Sequence, residues 1–471
     1  MTLRRKQAFD WKTFIKGVAV IAIPIALQSL LTTTGSMIDT MMIASLGEKT
    51  VAAVGLCAQF SSLMFASFFG FAAGGMLFIS QYWGAKDEAG IDRSYGMMLT
   101  CVMTVGIIFG ILAVFFPEQV MALYTDKEAI REIGVKYLRI VGFSYPLVTL
   151  TMSASPLLRC TEHVRIPLAA SIVSVLTNIF LNWVLIFGRF GLPALGVQGA
   201  AVATVSASLV NAALIYILAA IRKYPYLFHF RAHFRWKAEH AKLFIRKCLP
   251  ILANEILIGV STMIVNIVLG HQSEPAIAAV AVFRTIEGLF IGFFSGFSSA
   301  ASILVGKAVG AGEHEDAWAR AKRIVYLTGS AMLLLSLILQ CVKLPILRAM
   351  GLSGESLEIG SKLLLVFGGV AVLRLMNWVQ NDTYRSAGDS VTGTVMEIVF
   401  MYVLVLPILL LNYKVFGTTL ILLFALIYVD EPIRFILMQI HMYSGRWIRP
   451  VTPEGQAALP EFREKYGIKM K

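Results

Sequence analysis

The stretch FIKGVAVIAIPIALQSLLTTTGSMIDTMMIASLG, residues 14–47, decides the class of the fold. From Phe14 to Leu31 no acid interrupts it, and roughly 20 consecutive apolar residues are enough to cross the hydrocarbon of a bilayer as a helix. One carboxylate, Asp39, stands near its far end, among small and apolar residues. A lone acid at that depth needs a reason, and the rest of the chain supplies one.

Composition extends the reading from this stretch to the whole chain. The 471 residues are 57% hydrophobic and only 15% charged, against roughly 25% charge in soluble domains. Mean hydropathy is +0.74. A chain this apolar cannot hide its surface within itself in water, so it reads as an all-α polytopic membrane protein. The basic start MTLRRKQAFDWKTFIK runs into an apolar segment too long for a signal peptide, with no small-residue cleavage site.

About twelve spans are expected, at roughly 15–45, 51–82, 96–117, 134–158, 166–188, 196–220, 243–270, 276–308, 322–343, 358–384, 391–413 and 416–443. The implied organisation is a terminus at 1–14, an N-lobe at 15–221, a basic connector at 222–242, a C-lobe at 243–443 and a tail at 444–471. Assigning alternate loops to the two sides puts roughly 28 Lys and Arg on the side of both termini and about 9 on the other. Both termini are therefore expected in the cytoplasm, with the chain in the inner membrane. The net charge of +13 follows from that asymmetry. Nucleic acid is excluded as a partner because no soluble basic module is present. The connector reads as a solvated link beside anionic headgroups.

The chain repeats itself at a shift of about 226 residues. Pro24 falls on Pro250, the MI of 37–38 on that of 263–264, the AAV of 52–54 on that of 278–280, and Arg159 on Arg385. The constant register is the argument, since any single match is weak. The shift spans an even number of helices, so the two six-helix halves share one orientation and are related by an axis along the membrane normal. Such halves can rock about a site between them.

Three stretches make the resemblance specific: QYWGAKD at the end of the second span, LLRCTEHVRIPLAASIVSVLTNIFLNWVLIFGRFGLPALGVQGAAVAT from the fourth to the sixth, and its weaker echo YRSAGDSVTGT. With them the chain resembles, over nearly its whole length, the multidrug and toxic compound extrusion (MATE) family of bacterial cation-coupled exporters. The resemblance implies twelve transmembrane helices in two pseudo-symmetric, V-shaped six-helix bundles. It also implies export of organic, often cationic compounds in exchange for H⁺ or Na⁺, with membrane lipid as surroundings and no cofactor.

Periodicity groups the polar residues within the spans. Gln28, Thr32, Ser36 and Asp39 share one helix face, and Ser171, Ser174, Asn178 and Asn182 another. Facing each other, the two stripes would enclose a hydrated N-lobe pocket, since polar groups in a bilayer turn to protein or water. A carboxylate there can hold a proton or a cation and release it when access changes sides. The alternative is an Asp39 solvated at the outer interface. The family likeness puts Asp39 and Asn178 on motif positions of an N-lobe cation site, whereas Asn182 departs from relatives that carry an acid.

In the C-lobe, Glu255 shares a face with Gly259, Thr262 and Asn266, and matches a seventh-helix glutamate used for coupling in some relatives. Asn377, Gln380 and Asn381 form a polar face on the tenth span, and Asn377 and Asn381 would complete a site with Glu255 and Asn266. Arg284 and Glu287 lie three apart and can pair. Arg374 needs an acid, Glu255 or Glu287. Glu397 lines the cavity or the interface, and these four are candidate cavity charges. Asp430, Glu431 and Arg434 read as a local ion-pair cluster beside Pro432. Pro24 interrupts a backbone hydrogen bond, and the family likeness makes it a hinge.

The five cysteines and seven histidines show no ligand spacing, so no metal is expected beyond transported Na⁺. No phosphate-binding loop or nucleophile elbow is present, and no large catalytic loop, so the chain does not read as an enzyme. A flippase for lipid-linked oligosaccharide is the alternative, but its pyrophosphate would want a cationic cavity. The chain is expected to act as a monomer on small organic substrates.

Overall fold

The computed structural model describes residues 10–416 and 419–468, and among them the chain is helical throughout, with no strand. The first half comprises α1 (Trp11–Ala44), α2 (Glu48–Ala85), α3 (Glu88–Phe115), the short α4 (Pro117–Tyr124), α5 (Glu128–Val141), α6 (Ser144–Cys160), α7 (Arg165–Phe187) and α8 (Val197–Ile221). A four-residue helix, α9 (Phe230–His233), marks the connector. The second half comprises α10 (Ala238–Gly270), α11 (Glu274–Gly310), α12 (His314–Ala349), α13 (Gly354–Ser386), α14 (Thr392–Val399), α15 (Leu406–Leu411), α16 (Leu420–Leu426) and α17 (Glu431–Ser444). Helix α18 (Pro453–Tyr466) follows in the tail.

Local chemistry sets several of these ends. Asp10 caps α1 by accepting from the Thr13 amide at 3.1 Å, and Asp87 caps α3 through the Gly90 amide at 2.9 Å. Both satisfy first-turn donors that have no partner within the helix. Lys86 ends α2 in the left-handed region at φ 58°.

Among the described residues, ten helices are long and apolar enough to cross a membrane, and α5 with α6, bent by 50°, makes an eleventh. The twelfth is α16 with α17, interrupted between Leu426 and Glu431, where Pro432 in the first turn of α17 has no backbone N–H to continue the helix ladder. The expected span at 134–158 begins earlier, at Glu128, and turns at Gly142 and Phe143. Its equivalent in the second half, α13, is one unbroken helix. The span at 391–413 contains a π-helical stretch at Phe400–Val405.

The repeat is visible in the element boundaries: Glu48 and Glu274 start α2 and α11, Glu88 and His314 start α3 and α12, and Glu128 and Gly354 start α5 and α13, all at the same shift. The two lobes meet where α1 packs along α11, α2 along α10, and α2 against α11. Glycine makes these crossings close. A side chain at Gly70 would strike the Leu252 backbone, and one at Gly296 would strike Ala22 and Ala26, the repeat-related position. The C-termini of α2 and α11 lie together beside helix α18: a Cβ at Gly310 would meet the Gln81 carbonyl, and one at Gly455 the Val309 carbonyl.

The basic connector is solvated only in part, because several of its residues pack onto the helices. Tyr224, Leu227 and His233 are buried, and His229 Nδ1 lies 2.9 Å from Asp92 on α3. The tail is likewise packed: Trp447 is fully buried, and Thr452 donates to the Gly310 carbonyl at 2.7 Å.

Candidate functional site

The N-lobe polar stripe divides into two centres. At one, Asn182 Nδ2 donates to the Asp39 carboxylate at 2.5 Å and contacts Asn178 Oδ1 at 3.2 Å. Asn182 is fully buried, and Asp39 makes no ion pair among the described residues. A cavity of about 370 Å³ opens beside it, lined by Ser36, Asp39, Thr40, Tyr137, Tyr145 and Thr204 among others. At the second centre, Arg159 Nη2 donates to Gln28 Oε1 and Gln28 Nε2 to Ser171 Oγ, each at 2.7 Å.

Gln28 and Asp39 are separated along α1 by about 16 Å, at 1.5 Å per residue. Sharing a face therefore does not bring them to one site. Thr32 and Ser36 donate to the backbone of their own helix, at Gln28 and Thr33. Ser36 still lines the Asp39 cavity, whereas Thr32 and Gln28 do not. Ser174 turns away, to the Ala207 carbonyl.

The C-lobe holds a denser charge network. A cavity of about 230 Å³ is lined by Asn254, Glu255, Asn377, Asn381, Arg385, Glu397 and Arg434, with Arg374 and apolar neighbours. Glu397 accepts from Asn254 and Asn381, each at 3.0 Å. Glu255 lies 3.8 Å from Arg385, which also contacts Asp382 at 3.4 Å. Asp382 accepts from the Ser298 hydroxyl. Glu287 is buried between Arg284 at 2.7 Å and Arg374 at 2.5 Å. Arg434 contacts Glu431 at 2.8 Å, Asp430 at 3.4 Å and Glu397 at 3.9 Å.

Glu255, Asn377 and Asn381 thus line one cavity, but neither amide bonds to Glu255: Asn377 donates to Glu431 at 2.7 Å and Asn381 to Glu397. Asn266 is exposed and lies 3.4 Å from Arg284. It stands about 16 Å along α10 from Glu255 and does not join that cavity. Arg374 finds its acid in Glu287. Asp430, Glu431 and Arg434 form the expected cluster, enlarged by Glu397. Pro24 lies well inside α1, which starts at Trp11.

Periodicity missed Asn254, Asp382, Arg385 and Tyr137. The repeat carries a signal for two of them: shifted, Gln28 lands on Asn254 and Arg159 on Arg385, while Ser171 lands on Glu397. The N-lobe link of Gln28 to Ser171 therefore has a C-lobe twin in Asn254 and Glu397, with a carboxylate at the serine position, while Arg385 turns to Glu255 and Asp382 instead.

A family model described as MatE matches twice, over residues 24–184 and 250–411. The chain belongs to the MatE family. The two matches begin at Pro24 and Pro250 and so restate the internal repeat. Among curated relatives, the probable multidrug resistance protein YoeA of Bacillus subtilis is 24% identical, covering 87% of this chain and 88% of that protein. The probable multidrug resistance protein NorM of Rhizobium meliloti is 26% identical over 64% of this chain and 65% of its own.

Solved MATE structures share the fold. One in complex with MaL6 gives a TM-score of 0.82 at 17% identity, covering 92% of this chain and 97% of that one. The Vibrio cholerae MATE transporter VcmN, as a mutant, gives 0.82 at 17% identity, covering 92% and 96%. Together with the apolar helices, MatE membership makes this a twelve-helix, multi-pass membrane transporter.

Proposed function

We propose that this MatE chain exports amphipathic, often cationic organic compounds in exchange for H⁺ or Na⁺, by alternating access between its lobes. The observation that carries the coupling role is Asp39: a carboxylate inside a transmembrane helix, beside a cavity, held by an amide rather than by a cation. An ionised carboxylate without counter-charge is costly in low dielectric, so it takes up a proton or a cation and gives it back when water reaches it. In the C-lobe, Glu255 has Arg385 at 3.8 Å and serves as the second coupling acid. The names of YoeA and NorM support multidrug compounds as the substrate class.

Cation entry from outside reshapes its lobe, with Pro24 as the hinge of α1, and drug leaves as the cavity contracts. Drug then reloads from the cytoplasm or the inner leaflet. The transporter works as a monomer in the bacterial inner membrane, with both termini cytoplasmic. The test is efflux from proteoliposomes under a pH gradient and a Na⁺ gradient imposed separately. Asp39→Asn is expected to lower gradient-driven efflux at least about tenfold, within the usual range of coupling free energies. Normal efflux from Asp39→Asn, Glu255→Gln and the double variant would overturn the coupling role.

A further inference from the structure

Where α1 and α12 begin and α17 ends, three helices bring aromatic rings and cations to one level. Helix α1 starts there at Trp11, α17 ends there at Ser444, and α12 rises from His314 past Trp318, Lys322 and Tyr326, which share one helix face. The Lys322 ammonium lies 3.9 Å from the Trp318 ring centre and 5.3 Å from that of Tyr443. The Arg323 guanidinium lies 5.7 Å from the ring of Trp11. The Tyr326 and Tyr443 hydroxyls are 3.2 Å apart.

Lys322 makes no ion pair among the described residues and lies instead against the faces of two aromatic rings. The neighbouring Arg320 is already neutralised by Asp316 at 2.6 Å. Trp11, Tyr326 and Tyr443 are each about half exposed, so the cluster is open at the surface.

The same helices turn exposed apolar side chains outward just beyond this level: Leu333, Leu334 and Leu337 on α12, Ile436 and Ile440 on α17, and Ile15 on α1. The cluster therefore stands where a lipid-facing surface ends. That is the depth at which Trp and Tyr collect at the headgroups, and where Lys and Arg meet anionic lipid.

We propose that Lys322 and Arg323, framed by Trp11, Trp318, Tyr326 and Tyr443, form a binding site for the phosphate of an anionic phospholipid. The two cations face the phosphate oxygens, the tyrosine hydroxyls donate to them, and the acyl chains lie on the apolar faces of α12 and α17. Inorganic phosphate offers the same headgroup chemistry but nothing to cover those faces, so lipid is the occupant. Trp11 belongs to one lobe and α12 to the other, so the bound lipid spans both.

The test is native mass spectrometry of the full chain in detergent, titrated with phosphatidylglycerol, with phosphatidylcholine of the same acyl chains, and with inorganic phosphate as competitor. The wild-type chain is expected to retain phosphatidylglycerol over phosphatidylcholine. Lys322→Gln and Arg323→Gln are each expected to weaken phosphatidylglycerol about fivefold, at about 1 kcal/mol per interfacial cation. Lys322→Arg should keep it, which separates loss of the charge from loss of the fold, and Lys127→Gln on the opposite face should change nothing. Equal retention of the two lipids, undiminished binding by the Lys322→Gln/Arg323→Gln variant, or displacement by millimolar inorganic phosphate would each overturn the proposal.

Discussion

Asn254 donates to Glu397 at 3.0 Å, and at the repeat-related positions Gln28 donates to Ser171 at 2.7 Å. One backbone plan therefore carries two chemistries. The C-lobe surrounds its acids with Arg374, Arg385 and Arg434. The N-lobe leaves Asp39 with the single Asn182 amide.

Replacing Asn182 with leucine removes the donor that holds Asp39 while keeping the volume of a fully buried side chain. Leaving a buried acceptor without its partner costs about 1–3 kcal/mol. A fall in thermal stability by a few degrees is expected, together with impaired efflux. Unchanged stability and efflux would show that Asp39 does not depend on this contact.

Arg374→Met leaves Glu287 with Arg284 as its one remaining cation. Glu287 keeps Arg284 at 2.7 Å and the Arg374 side chain is 32% exposed, so the cost falls below the roughly 3–5 kcal/mol of an uncompensated buried charge, and a moderate fall in melting temperature is expected in a dye-based melt. The compensated variant Arg374→Met/Glu287→Gln should recover much of the loss. A single variant as stable as wild type would mean that the pair is unimportant for folding.

Lys307 on α11 and Glu162 after α6 pair between the lobes at 2.5 Å, and the repeat-related Gln81 donates to the Ser386 carbonyl at 2.8 Å. The ion pair is partly exposed, so its removal costs at most about 1 kcal/mol of stability. Its effect should fall instead on the balance between states. Glu162→Gln is expected to widen spin-label distances between the C-terminal ends of α2 and α11, with little change in melting temperature.

A Cβ at Gly310 would overlap the Gln81 carbonyl, whereas one at Gly259 meets nothing. Gly310→Val should therefore force the lobes apart on this face, while Gly259→Ala should be silent. Cysteine labelling of α2 near Gly84 separates the two outcomes, with faster labelling expected only for Gly310→Val.

Burial pushes the His233 imidazole below its ordinary range, although the Tyr226 carbonyl and Asp92 favour its protonation. The unfolded chain then binds a proton more readily than the folded one. Stability from this residue is complete above the ordinary pKa of about 6.5 and is lost as pH falls from there toward the folded value. Melting temperatures measured from pH 7.5 to 5 should fall less in His233→Gln than in wild type, in which His229 and Asp92 face the same ring.

The sequence by itself determined the class, the repeat and the presence of acids within the spans. Apolar run length, the constant shift from Pro24 to Pro250, and the rarity of charge in hydrocarbon are local or one-dimensional signals. Only the tertiary structure decided partners. Helical periodicity reports a face but not a height, so Gln28 and Asp39 read as one stripe although they serve centres about 16 Å apart. Asn266 shares a face with Glu255 yet meets Arg284 from the neighbouring helix. Asn254, off that face, reaches Glu397 because α14 packs beside α10. Which polar groups meet is set by how whole helices cross, and the crossing angles and heights come from packing of residues far apart in the chain.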